Sequence, residues 1–154
     1  MSRRPGGLVT RTFFAATLCL LAALASVLPA AARAEVPVAV RVIKGSRQGP
    51  PKIDPRLDDL RRQLSPLAYV RWEQVSEKRL DLDRGRTEFV ELPDGDTAAL
   101  TLQERHGDTV TFEVALTSRN TQSRLTVQKG QRIVHQVTGE KKGSALFLTV
   151  NAWP

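Results

Sequence analysis

The clearest periodicity in the chain lies between residues 98 and 116. Ala98, Leu100 and Leu102 alternate with Ala99, Thr101 and Gln103; Val110, Phe112 and Val114 alternate with Thr111, Glu113 and Ala115. A period of two marks a strand with one buried face. A two-residue loop at His106-Gly107 would set Leu102 against Thr111. A three-residue loop, Arg105 to Gly107, sets Leu102 against Val110, Leu100 against Phe112 and Ala98 against Val114. The second register keeps one apolar face continuous and leaves Gly107 where such loops favour positive φ, so it is the predicted one.

The alternation recurs along the chain. Val36, Val38, Val40 and Val42 share a face; Pro37 cannot donate to a ladder, which predicts an edge strand or a strand beginning. Two short strands are expected near 69–75 and 78–82, and another over 87–92 after Arg84-Gly85. The register between these last two stays open, because the glycine suits a three-residue loop whereas pairing Leu80 with Phe89 needs two. Segments 124–127 and 132–137 flank Gln128-Lys129-Gly130, which predicts a hairpin pairing Val127 with Ile133 and Leu125 with His135. From Ser144 onward, Leu146, Leu148, Val150 and Ala152 occupy one face and Phe147 the other, the pattern of a strand inside a sheet.

One helix interrupts this, over residues 54–64. Asp54 can cap it, Pro55 suits the first helical position, and Ser65-Pro66 stops it. Ile53, Leu57, Leu60 and Leu64 fall on one face, suited to packing on a sheet, and Asp58 and Arg62 are spaced for an i,i+4 ion pair. The sum is an all-β fold with one short helix, a single sandwich or flattened barrel of about eight strands. It divides into an N-terminal strand and basic linker (35–52) and a β-rich domain (53–154).

Composition changes the picture at the N-terminus. Residues 1–34 carry Arg3, Arg4 and Arg11, an apolar run from Phe13 to Leu28, Pro29, and Ala32-Arg33-Ala34, the pattern of a cleaved secretory signal that directs the chain to the periplasm or beyond. The formal charge of +7 is partly a property of that leader. The leader holds four arginines and no acid, so residues 35–154 carry 19 basic and 16 acidic side chains, a net +3. That weakens any argument from charge for nucleic acid, and the basic residues are not interleaved with aromatics. The single cysteine, Cys19, also lies in the leader, so no disulfide is expected.

Candidate chemistry is sparse. There is no Gly-x-Ser-x-Gly elbow, no phosphate-cradling glycine loop and no Ser–His–Asp spacing. His106 falls in a turn and His135 in a strand, neither with a second nearby ligand for a metal. Glu104 and Asp108 flank the central turn, where opposed acids are ordinarily solvated. The Leu92-Pro93-Asp94-Gly95-Asp96 turn lacks the side-chain spacing of a calcium loop. No cofactor, metal or catalytic residue is expected.

Two sets of residues are candidates for contact. Lys44, Arg47 and Lys52 form a basic stretch able to touch lipid headgroups or an acidic polymer; the plain alternative is a solvated loop. Tyr69, Trp72 and Trp153 could stack on a sugar, although a regular strand puts Tyr69 and Trp72 on opposite faces, one in the core and one partly exposed. The expected function is a non-enzymatic binding or accessory module of the bacterial cell envelope, contacting a protein or envelope polymer. The alternatives are a carbohydrate-binding domain and a carboxylate-based hydrolase.

Three segments carry a resemblance: Ile53-Asp54-Pro55 with Leu57 and Leu60, the Leu92-Pro93-Asp94-Gly95 turn, and the closing Ala145-Leu146-Phe147-Leu148-Thr149-Val150-Asn151-Ala152. Together they resemble small exported β-domain proteins of unassigned function from Gram-negative bacteria. The last is also similar to the closing strands of outer-membrane secretin cores, but the glycine-rich core segment of that family is absent. The resemblance implies an exported β domain and assigns no functional residue.

Overall fold

A computed structural model describes residues 35–154; the predicted signal lies outside them. Nine strands form two sheets. They are β1 (Val36–Ser46), β2 (Lys52–Ile53), β3 (Arg71–Leu82), β4 (Thr87–Glu91), β5 (Thr97–His106), β6 (Thr109–Leu116), β7 (Thr121–Gln128), β8 (Arg132–Gln136) and β9 (Ser144–Ala152). One sheet runs β2-β3-β1-β9-β8 and the other β4-β5-β6-β7. The all-β sandwich expected from the alternation is therefore the fold.

The alternating faces meet in one core. Val36, Val38, Val40 and Val42 of β1, with Leu148 and Val150 of β9, pack against Leu100, Leu102, Val110 and Phe112 of the other sheet. β1 is an interior strand, paired with both β3 and β9. The edge alternative fails, but the strand-beginning alternative holds: Pro37 is the second residue of β1, and β9 pairing starts only at Val38. β9 lies between β1 and β8, as its two apolar faces require.

The central hairpin forms, but in another register. Ala98 faces Leu116, Leu100 faces Val114 and Leu102 faces Phe112. The loop is Gly107-Asp108, with Gly107 at φ 58, and the register shifts at Gln103, which has no partner in the pairing. The result is displaced from the predicted register by two residues. A slip of two leaves every side chain on its own face, so alternation cannot detect it.

The predicted hairpin around Gln128-Lys129-Gly130 does not form. β7 pairs with β6, setting Leu125 against Phe112 and Val127 against Val110, whereas β8 pairs with β9. The glycine turn, with Gly130 at φ 76, carries the chain from one sheet to the other. The Arg84-Gly85 turn makes a similar crossing from β3 to β4, so the pairing of Leu80 with Phe89 is absent too.

The two strands expected near 69–75 and 78–82 are one strand, β3, with a bulge. Val42 pairs with Ser76 and Ile43 with Gln74, leaving Val75 as the extra residue. A bulge reverses the phase of alternation. Leu80 and Leu82 therefore face the sandwich core, while Trp72 joins a second cluster with Ile43, Leu57, Leu60, Leu64, Ala145 and Phe147.

That second cluster is the outer face of the five-stranded sheet, covered by the helical segment. The predicted helix is a 3₁₀ turn over Pro55–Leu60 followed by one α turn, α1 (Arg61–Leu64). Asp54 caps it, accepting a 3.0 Å hydrogen bond from the Arg56 N–H. The Arg56 guanidinium beside it holds the Asp54 carboxyl well below the usual carboxylate range. Asp58 pairs with Arg61 at 2.6 Å rather than with Arg62. In a 3₁₀ helix side chains at i and i+3 eclipse, which favours that spacing over i,i+4. Asp59 fastens the segment to the sheet by accepting from Arg41 at 3.1 Å and pairing with Arg132.

Candidate functional site

Strand direction places the turns 92–97 and 117–120, the connection 137–143 and the end of β1 together at one end of the sandwich. Each is held by local chemistry. In the β4–β5 turn, Gly95 adopts φ 87 and the Leu92 N–H donates to the Asp96 carbonyl at 2.9 Å. The Asp96 carboxylate then reaches across to the next turn. It accepts from the Thr117 hydroxyl at 3.1 Å, the Ser118 N–H at 3.3 Å and the Ser118 hydroxyl. These bonds, that of the Ser118 hydroxyl foremost, together with one from the Thr97 N–H at 2.7 Å, hold the Asp96 carboxyl below its ordinary value. They also position Arg119, the next residue in the chain.

On the opposite sheet, Thr138 accepts from the Leu146 N–H at 2.9 Å and anchors the connection from β8 to β9. Glu140 accepts from Arg47 at 2.7 Å, and the Arg47 guanidinium lies 5.3 Å from the centre of the Tyr69 ring. The Arg47 N–H donates to Gly143 at 2.8 Å. Arg47 is thus a clamp on the 140–143 turn.

Between these pieces lies a cleft of about 430 Å³. Lys44, Arg119, Lys141 and Lys142 line it together with one acid, Asp94, and an apolar floor that includes Pro93, Ala145 and Leu146. None of the four cations has an ion-pair partner among the described residues. Arg41, Arg56, Arg61 and Arg86, by contrast, are each ion-paired. Four unneutralised cations converging on a concave surface produce a focused positive potential. Such a site can attract and hold an anion.

The six residues singled out from sequence separate. Lys44 lines the cleft, Arg47 clamps its rim, and Lys52 stands in β2 beside Arg71, in a hollow of its own. The basic stretch from Lys44 to Lys52 is less of a loop than expected, since β1 runs through Ser46 and β2 begins at Lys52. The expectation for Tyr69 and Trp72 holds in part: Trp72 is in the core and Tyr69 is partly exposed, but both lie over the same cluster rather than on opposite faces. Tyr69 precedes β3, so strand alternation does not relate the two. Both rings pack edge-on with Phe147, at centroid distances of 5.4 Å for Tyr69 and 5.1 Å for Trp72, and with each other at 5.5 Å, and Trp72 is only 2% exposed. Trp153 packs against the sandwich core, 5.3 Å from the Arg105 guanidinium, which lies at the other end of β5. These three rings share no exposed face on which a sugar could stack.

Arg119, Lys141 and Lys142 were not singled out by the sequence pattern. Their signal is faint: each lies in or beside a turn rich in Gly, Asn or Ser, where cations are ordinarily solvated. Among the described residues no group of three or more His, Cys, Asp or Glu side chains could hold a metal. No described helix is long and apolar enough to cross a membrane. The chain matches no family model, no curated protein and no solved structure.

A second, smaller hollow of about 320 Å³ opens on the side of the sandwich, lined by Val114, Leu116, Thr121, Ser123, Val137 and His135 among others. No other titratable side chain lines it. Burial pushes the His135 imidazole below its ordinary pKa. The folded state therefore binds the proton less well than the unfolded chain does. His135 contributes stability that is intact above about pH 6.5 and is lost as pH falls through that value toward the folded pKa. Thermal unfolding followed from pH 7.5 to 5 should show a falling Tm, and His135→Gln should flatten that fall. An unchanged slope in the variant would rule His135 out as its source.

Proposed function

We propose that this protein is an exported, non-enzymatic binding module of the bacterial cell envelope that contacts an anionic envelope component through the basic end of its sandwich. One observation carries the reading: Lys44, Arg119, Lys141 and Lys142, unpaired among the described residues, surround a single cleft with only Asp94 to offset them. The leader pattern in residues 1–34 supports export. The apolar floor supports binding of a partner with more than charge to offer. The cleft's side chains include no histidine, and its one carboxylate has no second beside it to share acid and base roles.

Co-sedimentation tests this directly. Protein expressed from the full sequence is mixed with isolated membranes and with peptidoglycan sacculi. Pelleting at low salt that is released at roughly 0.5 M salt is expected, because exposed charges separated by more than the Debye length are screened there. Protein that stays in the supernatant with every fraction at low salt would overturn the reading.

A further inference from the structure

We infer that the cleft takes a phosphorylated ligand, and that Lys142 is kept in a disfavoured backbone conformation to reach it. The inference rests on the binding-module reading and names the chemistry of its ligand. Three observations lead to it: charge, shape and backbone.

The lining carries four cations and one carboxylate, a formal +3. A single carboxylate ligand would neutralise a third of that. A phosphate monoester carries about −1.5 to −2 near neutral pH, so one or two phosphoryl groups balance the site. The cleft volume of about 430 Å³ falls in the range of small-molecule sites. Pro93, Ala145 and Leu146 offer apolar contact to whatever carries the phosphoryl group, a sugar or the glycerol of a lipid headgroup.

The backbone observation is independent of charge. Lys141 and Ser144 exchange hydrogen bonds of 2.8 and 3.1 Å across a two-residue turn, Lys142-Gly143. Lys142 has φ 51 and Gly143 φ 71. A turn with positive φ at both central residues favours Asn, Asp or Gly at the first, because a longer side chain pays a steric penalty there without a local hydrogen bond in return. In the four-residue loop 117–120 the one residue at positive φ is Asn120 (φ 46), a residue type that tolerates that region. Lys142 departs from that preference at a position that lines the cleft. Strained residues concentrate where a ligand is held.

The test uses Lys142→Asn, which relieves the backbone and removes the charge. Calorimetric titrations use two probes, inorganic pyrophosphate and vesicles of phosphatidic acid, a lipid with a phosphate-monoester headgroup, in phosphatidylcholine. Wild-type protein should bind at least one of them at low salt. Binding of pyrophosphate means the phosphoryl group suffices; binding of vesicles alone means a lipid headgroup is the source. In either case Lys142→Asn should bind about tenfold more weakly, the scale of one lost charge-assisted hydrogen bond, while its Tm rises by about 2–4 °C. Affinity equal to wild type, or a lower Tm, would overturn the role of Lys142. If neither probe binds while envelope fractions still pellet the protein, the phosphoryl assignment falls and the binding-module reading survives.

Discussion

Phe112→Ala should remove about 3–5 kcal/mol of stability, the scale measured for deleting a fully buried aromatic ring from a core. Phe112 is fully buried and pairs with Leu102 on one side and Leu125 on the other, at the centre of the four-stranded sheet. Its ring faces the valines of β1 and the leucines of β9 across the sandwich. Domains of this size retain about 5–15 kcal/mol in total, so the loss is a large fraction of the whole. Urea unfolding should show a lower midpoint with an unchanged slope, since the same surface is exposed on unfolding. A loss below about 1 kcal/mol would mean that Phe112 does not occupy the middle of the core.

Gly45→Val should strike the other cluster. A Cβ at position 45 would lie 2.9 Å from both Trp72 Cζ3 and Tyr69 Cγ. Those rings are already wedged against Phe147, so neither can retreat without opening the cover that Leu57, Leu60 and Leu64 provide. Overpacking of this kind costs about 1–3 kcal/mol and occasionally more. The fluorescence of Trp72 should move to longer wavelength as the cover loosens. Far-ultraviolet dichroism should keep its strand signature, because the sandwich core is a separate cluster. Unaltered Trp72 emission would show that the rings do not sit over Gly45.

Alternation in the sequence was enough to define the faces of the strands. The valines of β1, the two arms of the central hairpin and the leucines of β9 all point where a period of two puts them. It could not define partners. The glycine turns at Gly85 and Gly130 look the same in sequence whether they close a hairpin or cross between sheets, and both cross. The bulge at Val75 was hidden for a related reason. It shows in sequence only as a change of phase, which reads equally well as the gap between two short strands.

The cleft was harder to read than the fold. Its cations come from the end of β1, the turn before β7 and the turn before β9, far apart in sequence. Only crossing of the chain between sheets brings them together. Lys44 stands out in sequence only through its basic neighbours, of which Arg47 is tied up in holding the rim and Lys52 lies in a separate hollow. The aromatic residues differ for another physical reason: Trp72 is buried in the cluster under the helical segment, Tyr69 packs on that cluster, and Trp153 packs on the sandwich core, so the rings are committed to separate packing. What positions Arg119 is the Asp96 carboxylate, and in sequence that residue is one acid among several in a turn.

The most direct measurement is the envelope co-sedimentation repeated with two variants side by side. Lys141→Glu/Lys142→Glu inverts charge at the cleft, whereas Arg62→Glu inverts it on the exposed side of the helical segment. The double variant should remain in the supernatant and the helix variant should pellet as wild type does. Equal loss in both, or full pelleting of the double variant, would contradict a binding role for the basic end of the sandwich.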